Sequence, residues 1–301
     1  MARKVLLLGV DGGATGCRAR LTDIKGQIWG EGSSGPANIR FGLEESFAAV
    51  LRATNESLSQ AGLLPGEADI VACLALAGAS EPTHLAAARA HKHPFARVIF
   101  TTDAHAACVG AHGGRDGGII IVGTGSVGWA VVGGREHRVG GWGFPVSDEG
   151  SGAWLGCEAA RRVLWACDGR AAWTGLLKKL YERFNSDPHA IVRWMGGARP
   201  RDFAALAPLV LDYAAHDDAT ACELLALAAG HIDAKADRLA GLGVSRLALA
   251  GGIAPSIEPW LAPATKKLLV VPEGDALSGA LQLARLEAMA MTLTPQASER
   301  G

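Results

Sequence analysis

The chain has 301 residues, of which 49% are hydrophobic and 20% are charged, so it can bury a substantial core and is not expected to be disordered. Lysine plus arginine number 29 and aspartate plus glutamate 30, which gives a formal net charge of −1. Because no basic block appears, the sequence argues against a nucleic-acid or membrane-surface partner. The length allows one large domain or two ordinary ones.

The cysteine pattern predicts a cytoplasmic protein with reduced thiols. None of the 6 cysteines forms a Cys-x-x-Cys pair or lies in a tight cluster. The apolar run before Asp11 is too short for a signal peptide, so no export is expected. No stretch approaches the roughly 18 apolar residues of a membrane span.

The N-terminal part predicts a mixed α/β unit. Strands at 5–10 and 17–22 flank the glycine turn DGGATG, and a hairpin leads to a third strand at 27–31. The remaining elements are a helix at 43–63, a strand at 69–77, a helix at 81–90, a strand at 97–101 and a helix at 104–112.

The C-terminal part opens in the same way, with a strand at 117–122, the turn GTGS and strands at 127–132 and 137–140. It continues with helices at 149–167, 172–184 and 219–239, strands at 245–250 and 267–271, and a helix at 276–289. The repeated opening predicts an internal duplication. We therefore expect an N-terminal lobe at 1–112, a C-terminal lobe with a helical insertion at 113–291, and a frayed tail at 292–301.

The string GTGSVG at 123–128 fits the G-x-G-x-x-G pattern of a dinucleotide-binding turn, but its context does not. In that fold the last glycine opens a helix, because the pyrophosphate lies at the helix N-terminus. Here the sequence continues VGWAVVGG, which is typical of a strand that ends in a turn. The pattern therefore does not indicate a dehydrogenase.

The two glycine turns can instead hold phosphate, since a glycine-rich turn exposes several main-chain N–H groups. Two such turns that face each other across a cleft could clamp a triphosphate. Asp11 adds a carboxylate suited to magnesium, and hydroxyls come from Thr15, Thr124 and Ser126. The structural alternative is that both turns are only tight hairpins.

Several long motifs occur in a fixed order, and they carry a resemblance to a known family. They are GVDGGATG, SGPANI, LALAGA, HPFARVIFTTDAHAACVGAH, GTGS, GGWGFPVSDEGSGAWLG and LAGGIA. In this order the chain resembles the sugar-kinase, Hsp70 and actin superfamily. Within it, the sequence is similar to the N-acetylglucosamine and glucosamine kinase branch of the benzoyl-CoA-reductase-type ATPase family, from residue 5 to about residue 286.

The resemblance implies an α/β fold of the duplicated ribonuclease-H-like, actin-like ATPase type, with two lobes and an interlobe cleft. It implies ATP and Mg²⁺ as cofactors, and a small-molecule amino sugar as the partner, phosphorylated on its 6-hydroxyl. A homodimer is common among similar proteins.

The resemblance also implies roles for individual residues. Asp103, in TTDA, matches the general base that takes the proton of the sugar hydroxyl, and it also contacts the sugar. The other positions that match sugar-binding residues are Asn38, Gly141, Trp142, Gly143 and Asp148. Simpler interpretations remain open: Asp103 could only cap a helix, Asp148 and Glu149 could be a first-turn acidic pair, and Trp142 could be a core or hinge residue.

The positions expected to contact ATP lie in the glycine turns. Thr15 and Thr124 match phosphate-contacting residues, and Asp11 matches the aspartate associated with the metal. The complete set is Gly12, Gly13, Thr15, Gly123, Thr124, Gly125, Ser126, Gly251 and Gly252, of which the last two match a turn beside the adenosine.

The sequence departs from the family pattern at two positions, of which Ala14 keeps a small residue and should do little harm, whereas Val127 bears on substrate choice. Ala14 stands where a third glycine is usual, and Val127 stands where some N-acetylglucosamine kinases have an asparagine. Both glucosamine and N-acetylglucosamine therefore stay open. Two other functions also stay open: an ATPase that activates a dehydratase or reductase, although Cys157 lacks the surroundings of a cluster ligand, and an actin-like regulatory ATPase that turns over without sugar.

Overall fold

The computed structural model describes residues 3–13, 15–40 and 42–293, so Ala14 and the last eight residues of the expected tail lie outside the described residues. Contacts divide the chain into two compact units. The first unit contains the described residues up to Asp116 and from Pro272 onward, and the second is Gly117–Val271.

A five-stranded mixed sheet forms the centre of the first unit. Its strands are β1 (Lys4–Gly12), β2 (Cys17–Thr22), β3 (Ile28–Ser34), β4 (Ala68–Leu76) and β5 (Arg97–Thr101), in the spatial order β3-β2-β1-β4-β5. Strands β1, β4 and β5 are parallel, whereas β1, β2 and β3 are joined as antiparallel hairpins. Residues 6–10 of β1 are all buried, which is why β1 reads as a continuous apolar run.

Four helices complete this unit: α1 (Leu43–Gln60), α2 (Pro82–Ala90), α3 (Asp103–Ala111) and α12 (Ala276–Leu293). Helix α1 covers the exposed edge of β3. The side chain of Glu56 accepts the N–H of Ser33 at 2.7 Å, and Gln60 accepts that of Glu31 at 3.0 Å. These bonds satisfy main-chain donors that an open sheet edge would leave to another chain.

The C-terminal helix α12 packs in the first unit rather than with the chain that precedes it. The sequence placed 276–289 in a C-terminal lobe at 113–291, whereas the contacts place α12 against β1, β4 and α3. The reason is close packing through glycines. A Cβ added at Gly279 would collide with the carbonyl oxygen of Ala106, and one at Gly110 with that of Asp275.

The second unit repeats the opening of the first around a four-stranded sheet. Its strands are β6 (Gly117–Val122), β7 (Ser126–Val132), β8 (Arg135–Gly140) and β9 (Leu247–Ala250), in the order β8-β7-β6-β9. Strands β6, β7 and β8 are antiparallel neighbours, and β6 is parallel to β9. The same arrangement of β1, β2, β3 and β4 in the first unit agrees with the predicted duplication.

The helices of the second unit include five that the sequence did not predict. Its helices are α4 (Gly152–Cys167), α5 (Gly175–Arg183), α6 (Pro188–Gly197), α7 (Pro200–Ala204), α8 (Ala207–Ala214), α9 (Ala219–Ala240), α10 (Ala254–Ile257) and α11 (Pro263–Leu268), with a 3₁₀ turn at Glu258–Trp260. Helices α6, α7, α8, α10 and α11 were missed. The strand expected at 267–271 is wrong, since α11 covers its start and an isolated bridge joins Leu269 to Leu247. In the described part of the chain, none of the helices is both long and apolar enough to cross a membrane.

Candidate active site

The first glycine turn follows β1 and is fixed by neighbouring main chain. The carbonyl of Gly12 accepts the N–H of Ala77 at 2.8 Å, and that of Gly13 accepts the N–H of Ala37 at 3.0 Å. A Cβ at Gly12 would lie 2.7 Å from Leu76 Cδ2 and 3.0 Å from the carbonyl oxygen of Ala37. Close approach of chain segments therefore requires this glycine, and Thr15 lies in the turn that follows.

Asn38 lies beside this turn, in a separate segment that pairs with the residue after the end of β4. It forms an isolated parallel bridge with Ala77, and its Oδ1 accepts the N–H of Arg40 at 3.0 Å. A Cβ at Gly78, where φ is +88°, would lie 2.9 Å from that oxygen. The amide of Asn38 is thus held at the carboxyl edge of the sheet, where parallel α/β sheets commonly bind ligands.

Asp11 is paired with an arginine that the sequence analysis did not identify. Arg18 is its cross-strand neighbour on β2, and Nη2 of Arg18 donates to Asp11 Oδ2 at 2.7 Å. Nη1 of Arg18 lies 3.0 Å from Asp275 Oδ2. The hydrogen bond that Arg18 donates to Asp11 raises the pKa of Arg18, which therefore remains charged.

The surroundings of Asp11 fit one carboxylate that assists a metal held mainly by phosphate. Across residues 3–13, 15–40 and 42–293, no group of three or more His, Cys, Asp or Glu side chains is arranged to hold a metal ion. Magnesium does not need such a cage, since it is usually bound by one or two carboxylates together with water and substrate phosphates. The Asp11 side chain is 20% exposed.

Asp103 begins α3 directly after β5, at the same carboxyl edge as Asn38. The N-cap is the residue before it: Oγ1 of Thr102 accepts the N–H of His105 at 3.0 Å. Oδ1 of Asp103 accepts the N–H of Ala104 at 2.9 Å. The interpretation of Asp103 as the helix cap is therefore wrong, and its partly buried carboxylate is at the first helical position.

The second glycine turn joins β6 to β7 and supports the start of α4. The N–H of Gly123 donates to the carbonyl of Gly125 at 2.9 Å. The carbonyls of Gly123 and Thr124 accept the N–H groups of Gly152 and Ala153 at 2.8 and 3.1 Å. The turn and the helix N-terminus are thus one rigid connection.

Ser126 uses both of its donors within this unit. Its hydroxyl donates to the main-chain carbonyl of Glu149 at 2.7 Å. Its N–H donates to the carboxylate of Asp148. These two bonds tie the second turn to the segment that precedes α4.

Asp148 lies under the second turn in a left-handed conformation, with φ of +67°. Its carboxylate accepts N–H bonds from Gly143, Phe144 and Ser126, which lower the carboxyl pKa, but burial has the larger effect and raises it. Helix α4 begins at Gly152 with Ser151 as its N-cap. Asp148 and Glu149 are therefore not a first-turn acidic pair, which corrects that interpretation.

The GWG segment presents an exposed indole. Gly141 and Gly143 have φ of +69° and +105°, and a Cβ at Gly141 would lie 2.6 Å from Val127 Cγ2. Trp142 is 75% exposed, and the guanidinium of Arg138 lies 4.2 Å from its ring centroid. Trp142 is therefore not a core residue, and the Arg138 guanidinium covers one face of its ring.

The turn Gly251–Gly252 follows β9. Gly251 has φ of +103°, and a Cβ there would collide with the carbonyl oxygen of Val122. A Cβ at Gly252 would meet no atom within 4 Å. The main-chain nitrogen of Gly252 lies 4.0 Å from the position that a Cβ at Gly123 would occupy. The two turns of the second unit are therefore neighbours.

Replacing Gly125 with alanine is expected to lower the free energy of unfolding by about 1–3 kcal/mol, because the new methyl group would displace the partly buried Asp148 carboxylate, which accepts three hydrogen bonds. A Cβ at Gly125 would lie 2.7 Å from Asp148 Oδ2. Denaturant unfolding measures the effect. Gly252→Ala, at a turn glycine with open space around it, is the control and should leave stability within about 0.5 kcal/mol.

The sequence matches the family described as the BadF/BadG/BcrA/BcrD ATPase family over residues 8–278, and the chain belongs to that family. The glucosamine kinase GspK of Vibrio cholerae is 40% identical over 278 residues, which are 92% of this chain and 95% of that protein.

Solved structures agree with this assignment. A candidate N-acetylglucosamine kinase from Chromobacterium violaceum is 38% identical, with a TM-score of 0.86 over 93% of this chain and 98% of the other. A ROK family glucokinase from Streptomyces griseus, solved with glucose and AMPPNP, is 18% identical, with a TM-score of 0.52 over 93% and 99% of the two chains. The similarity to the glucokinase shows the fold alone. It confirms the expected α/β fold class, which actin-like sugar kinases share.

Proposed function

We propose that this protein is an ATP-dependent amino-sugar kinase that transfers the γ-phosphoryl group of ATP to glucosamine or N-acetylglucosamine, on the 6-hydroxyl. The observation that carries the proposal is the similarity to the Vibrio cholerae glucosamine kinase along nearly the whole of both chains. Asp103 and Asn38 at one sheet edge, and the GWG segment with Asp148, supply the kinds of groups that such a reaction needs. A cytoplasmic location is part of the proposal, because the six cysteines are scattered along the sequence without a disulfide pattern.

Asp103 is proposed as the general base. Phosphoryl transfer depends on positioning and charge neutralisation more than on covalent assistance. A carboxylate at the first position of α3, with Oδ1 fixed by the N–H of Ala104, has a defined direction from which to accept the proton of a sugar hydroxyl.

The sugar is proposed to contact Asn38, Gly141, Trp142, Gly143 and Asp148. Amide and carboxylate groups can form hydrogen bonds with sugar hydroxyls. A site built on such hydrogen bonds strongly rejects analogues that lack the hydroxyls. The exposed ring of Trp142 suits the apolar face of a pyranose. Val127, which packs beside Gly141, leaves the choice between the free and acetylated amino sugar to experiment.

ATP is proposed to contact the turn residues Gly12, Gly13, Thr15, Gly123, Thr124, Gly125, Gly251 and Gly252. Because both donors of Ser126 already have acceptors, we assign Ser126 to holding the second turn instead. Mg²⁺, when bound, would neutralise phosphate charge, and Asp11 would hold it, with Arg18 orienting the carboxylate.

Asn38→Ala is expected to raise the KM for the sugar about 2- to 10-fold, the equivalent of one hydrogen bond, with little change in the KM for ATP. Initial-rate kinetics with each substrate varied in turn measures this. Asn55→Ala, on the exposed face of α1, is the matched control. An unchanged sugar KM in Asn38→Ala would remove Asn38 from the site.

The proposed activity is tested by ADP release from Mg-ATP with glucosamine, N-acetylglucosamine, N-acetylmannosamine, glucose or no sugar. Strong stimulation by one amino sugar supports the kinase and identifies the substrate. Equal turnover in every reaction, including the one without sugar, would contradict it and favour an ATPase that activates or regulates another protein.

A further inference from the structure

Lys235 is a buried lysine in the interior of α9, and its ammonium group has partners close to the second glycine turn. Its side chain is 6% exposed. Nζ donates to the main-chain carbonyl of Glu149 at 2.9 Å and lies 3.6 Å from the Glu149 carboxylate. Lysine is almost never buried unless its charge is paired, so this placement needs a reason.

The carbonyl that Lys235 contacts is a junction between elements. The same Glu149 oxygen also accepts the hydroxyl of Ser126, the first residue of β7. The stem of Lys235 passes beside the end of β8, where a Cβ at Gly140 would lie 2.8 Å from Lys235 Cε. One side chain of α9 therefore contacts the end of β8 and holds the peptide that follows Glu149, the residue next to Asp148.

That peptide needs to be held. Asp148 has φ of +67°, a conformation that L-residues adopt rarely and that persists only where the surroundings fix it. Its carboxylate is fixed on one side by the N–H groups of Gly143 and Phe144. On the other side, the carbonyl of the next residue is fixed by Ser126 and Lys235.

The charges around Lys235 fit this arrangement. Burial lowers the pKa of the Lys235 ammonium, and the carboxylates of Glu149 and Asp148 act in the opposite direction. The ammonium thus provides a charged hydrogen bond to a main-chain carbonyl in a site with little water, where such bonds are worth more than neutral ones.

We propose that Lys235 is a positioning residue for the sugar site: by holding the carbonyl of Glu149, it keeps Asp148 and the GWG segment in the geometry that binds the sugar. This inference rests on the proposed function. It does not place Lys235 in contact with substrate. Hydroxyl recognition depends on positions within about half an ångström, so a shift of this peptide would weaken sugar binding selectively.

The test compares Lys235→Met with the parent protein. Methionine keeps an unbranched chain but removes the charge and the donor. We expect the KM for the sugar to rise about 10- to 100-fold, as for loss of a charged hydrogen bond, while the KM for ATP changes less than about twofold. Lys235→Arg, which keeps charge and donors, should recover most of the sugar affinity. Lys267→Met, at an exposed lysine of α11, should match the parent.

Three results would overturn the inference. The first is an unchanged sugar KM in Lys235→Met. The second is an equal loss for sugar and ATP together with a lower melting temperature, which would mean that Lys235 only stabilises the fold. The third is the absence of sugar-dependent turnover in the parent protein, which would overturn the proposed function as well and so is distinguishable from the first two.

If Lys235→Met does not fold, Ser126→Ala is the second variant that tests the inference. It removes the second donor to the Glu149 carbonyl, so sugar affinity should fall; the ATP KM is not the reference for this variant, because Ser126 also holds the turn proposed to contact ATP. Sugar binding measured by calorimetry without ATP provides a readout independent of turnover. Unchanged sugar binding in Ser126→Ala would count against the positioning role.

Discussion

Asp103→Asn should lower kcat by about 10²- to 10⁴-fold, the usual contribution of a general base, while ATP binding is retained. The asparagine has nearly the same shape, so it can keep the bond from the N–H of Ala104, but it cannot accept a proton from the sugar hydroxyl. Because Thr102 caps α3, the substitution removes no helix cap, and stability should change little.

Three measurements separate these effects: steady-state kinetics for kcat, calorimetry for ATP, and thermal unfolding for the fold. Asp212→Asn, at an exposed position on α8, is the control for the loss of one carboxylate. If Asp103→Asn keeps more than about a tenth of the parent kcat, the assignment of Asp103 as the base is wrong.

Gly279→Ala is expected to destabilise the protein by about 3 kcal/mol, which is the upper part of the usual range for overpacking. The added methyl group would collide with the carbonyl oxygen of Ala106 and would lie 2.6 Å from the nitrogen of Gly110. Both are main-chain atoms of α3, so no side-chain rotation relieves the contact. Helices α3 and α12 would have to move apart, and Asp103, the proposed base at the start of α3, would move with them.

Denaturant unfolding measures the loss, and kcat should fall in parallel. Gly230→Ala is the matched control, because Gly230 is an exposed glycine inside α9 and a Cβ there would meet no atom within 4 Å. That change should instead stabilise by about 0.5–1 kcal/mol, since alanine is the better helix former. Equal stability of the two variants would contradict the close packing of α3 on α12.

The strands and turns of both units were predictable because their signals are local. Strands β2, β5 and β6 have the predicted bounds, since each is an apolar or alternating run closed by glycine, threonine or a charged residue. The turn after β6 was distinguished from a dinucleotide site because the β-branched run that follows it cannot open a helix.

The parts that were missed depend on contacts between distant residues. Helix α12 looked like the end of the second lobe, and only its close packing at Gly279 and Gly110 assigns it to the first unit. Helices α6 and α7 begin at Pro188 and Pro200, a signal for the first turn of a helix that could have been used. The short apolar run at 267–271 looked like a strand but forms one bridge only.

The candidate site shows the same division. Asp103, Asn38 and Asp148 were proposed from the sequence because they lie in motifs, whereas the residues that contact them were not identified. Arg18 could have been found from the hairpin register, since it is directly opposite Asp11. Lys235 gives no signal in the sequence, because a lysine inside a helix is normally exposed.

The most direct test of the proposed kinase is identification of the product. The protein is incubated with Mg-ATP and glucosamine or N-acetylglucosamine, and the mixture is examined by ³¹P NMR with correlation to sugar protons. The account predicts a phosphomonoester signal coupled to the two protons on C6, formed in step with ADP and lost in Asp103→Asn. Formation of ADP with inorganic phosphate alone, with both sugars unchanged, would contradict it.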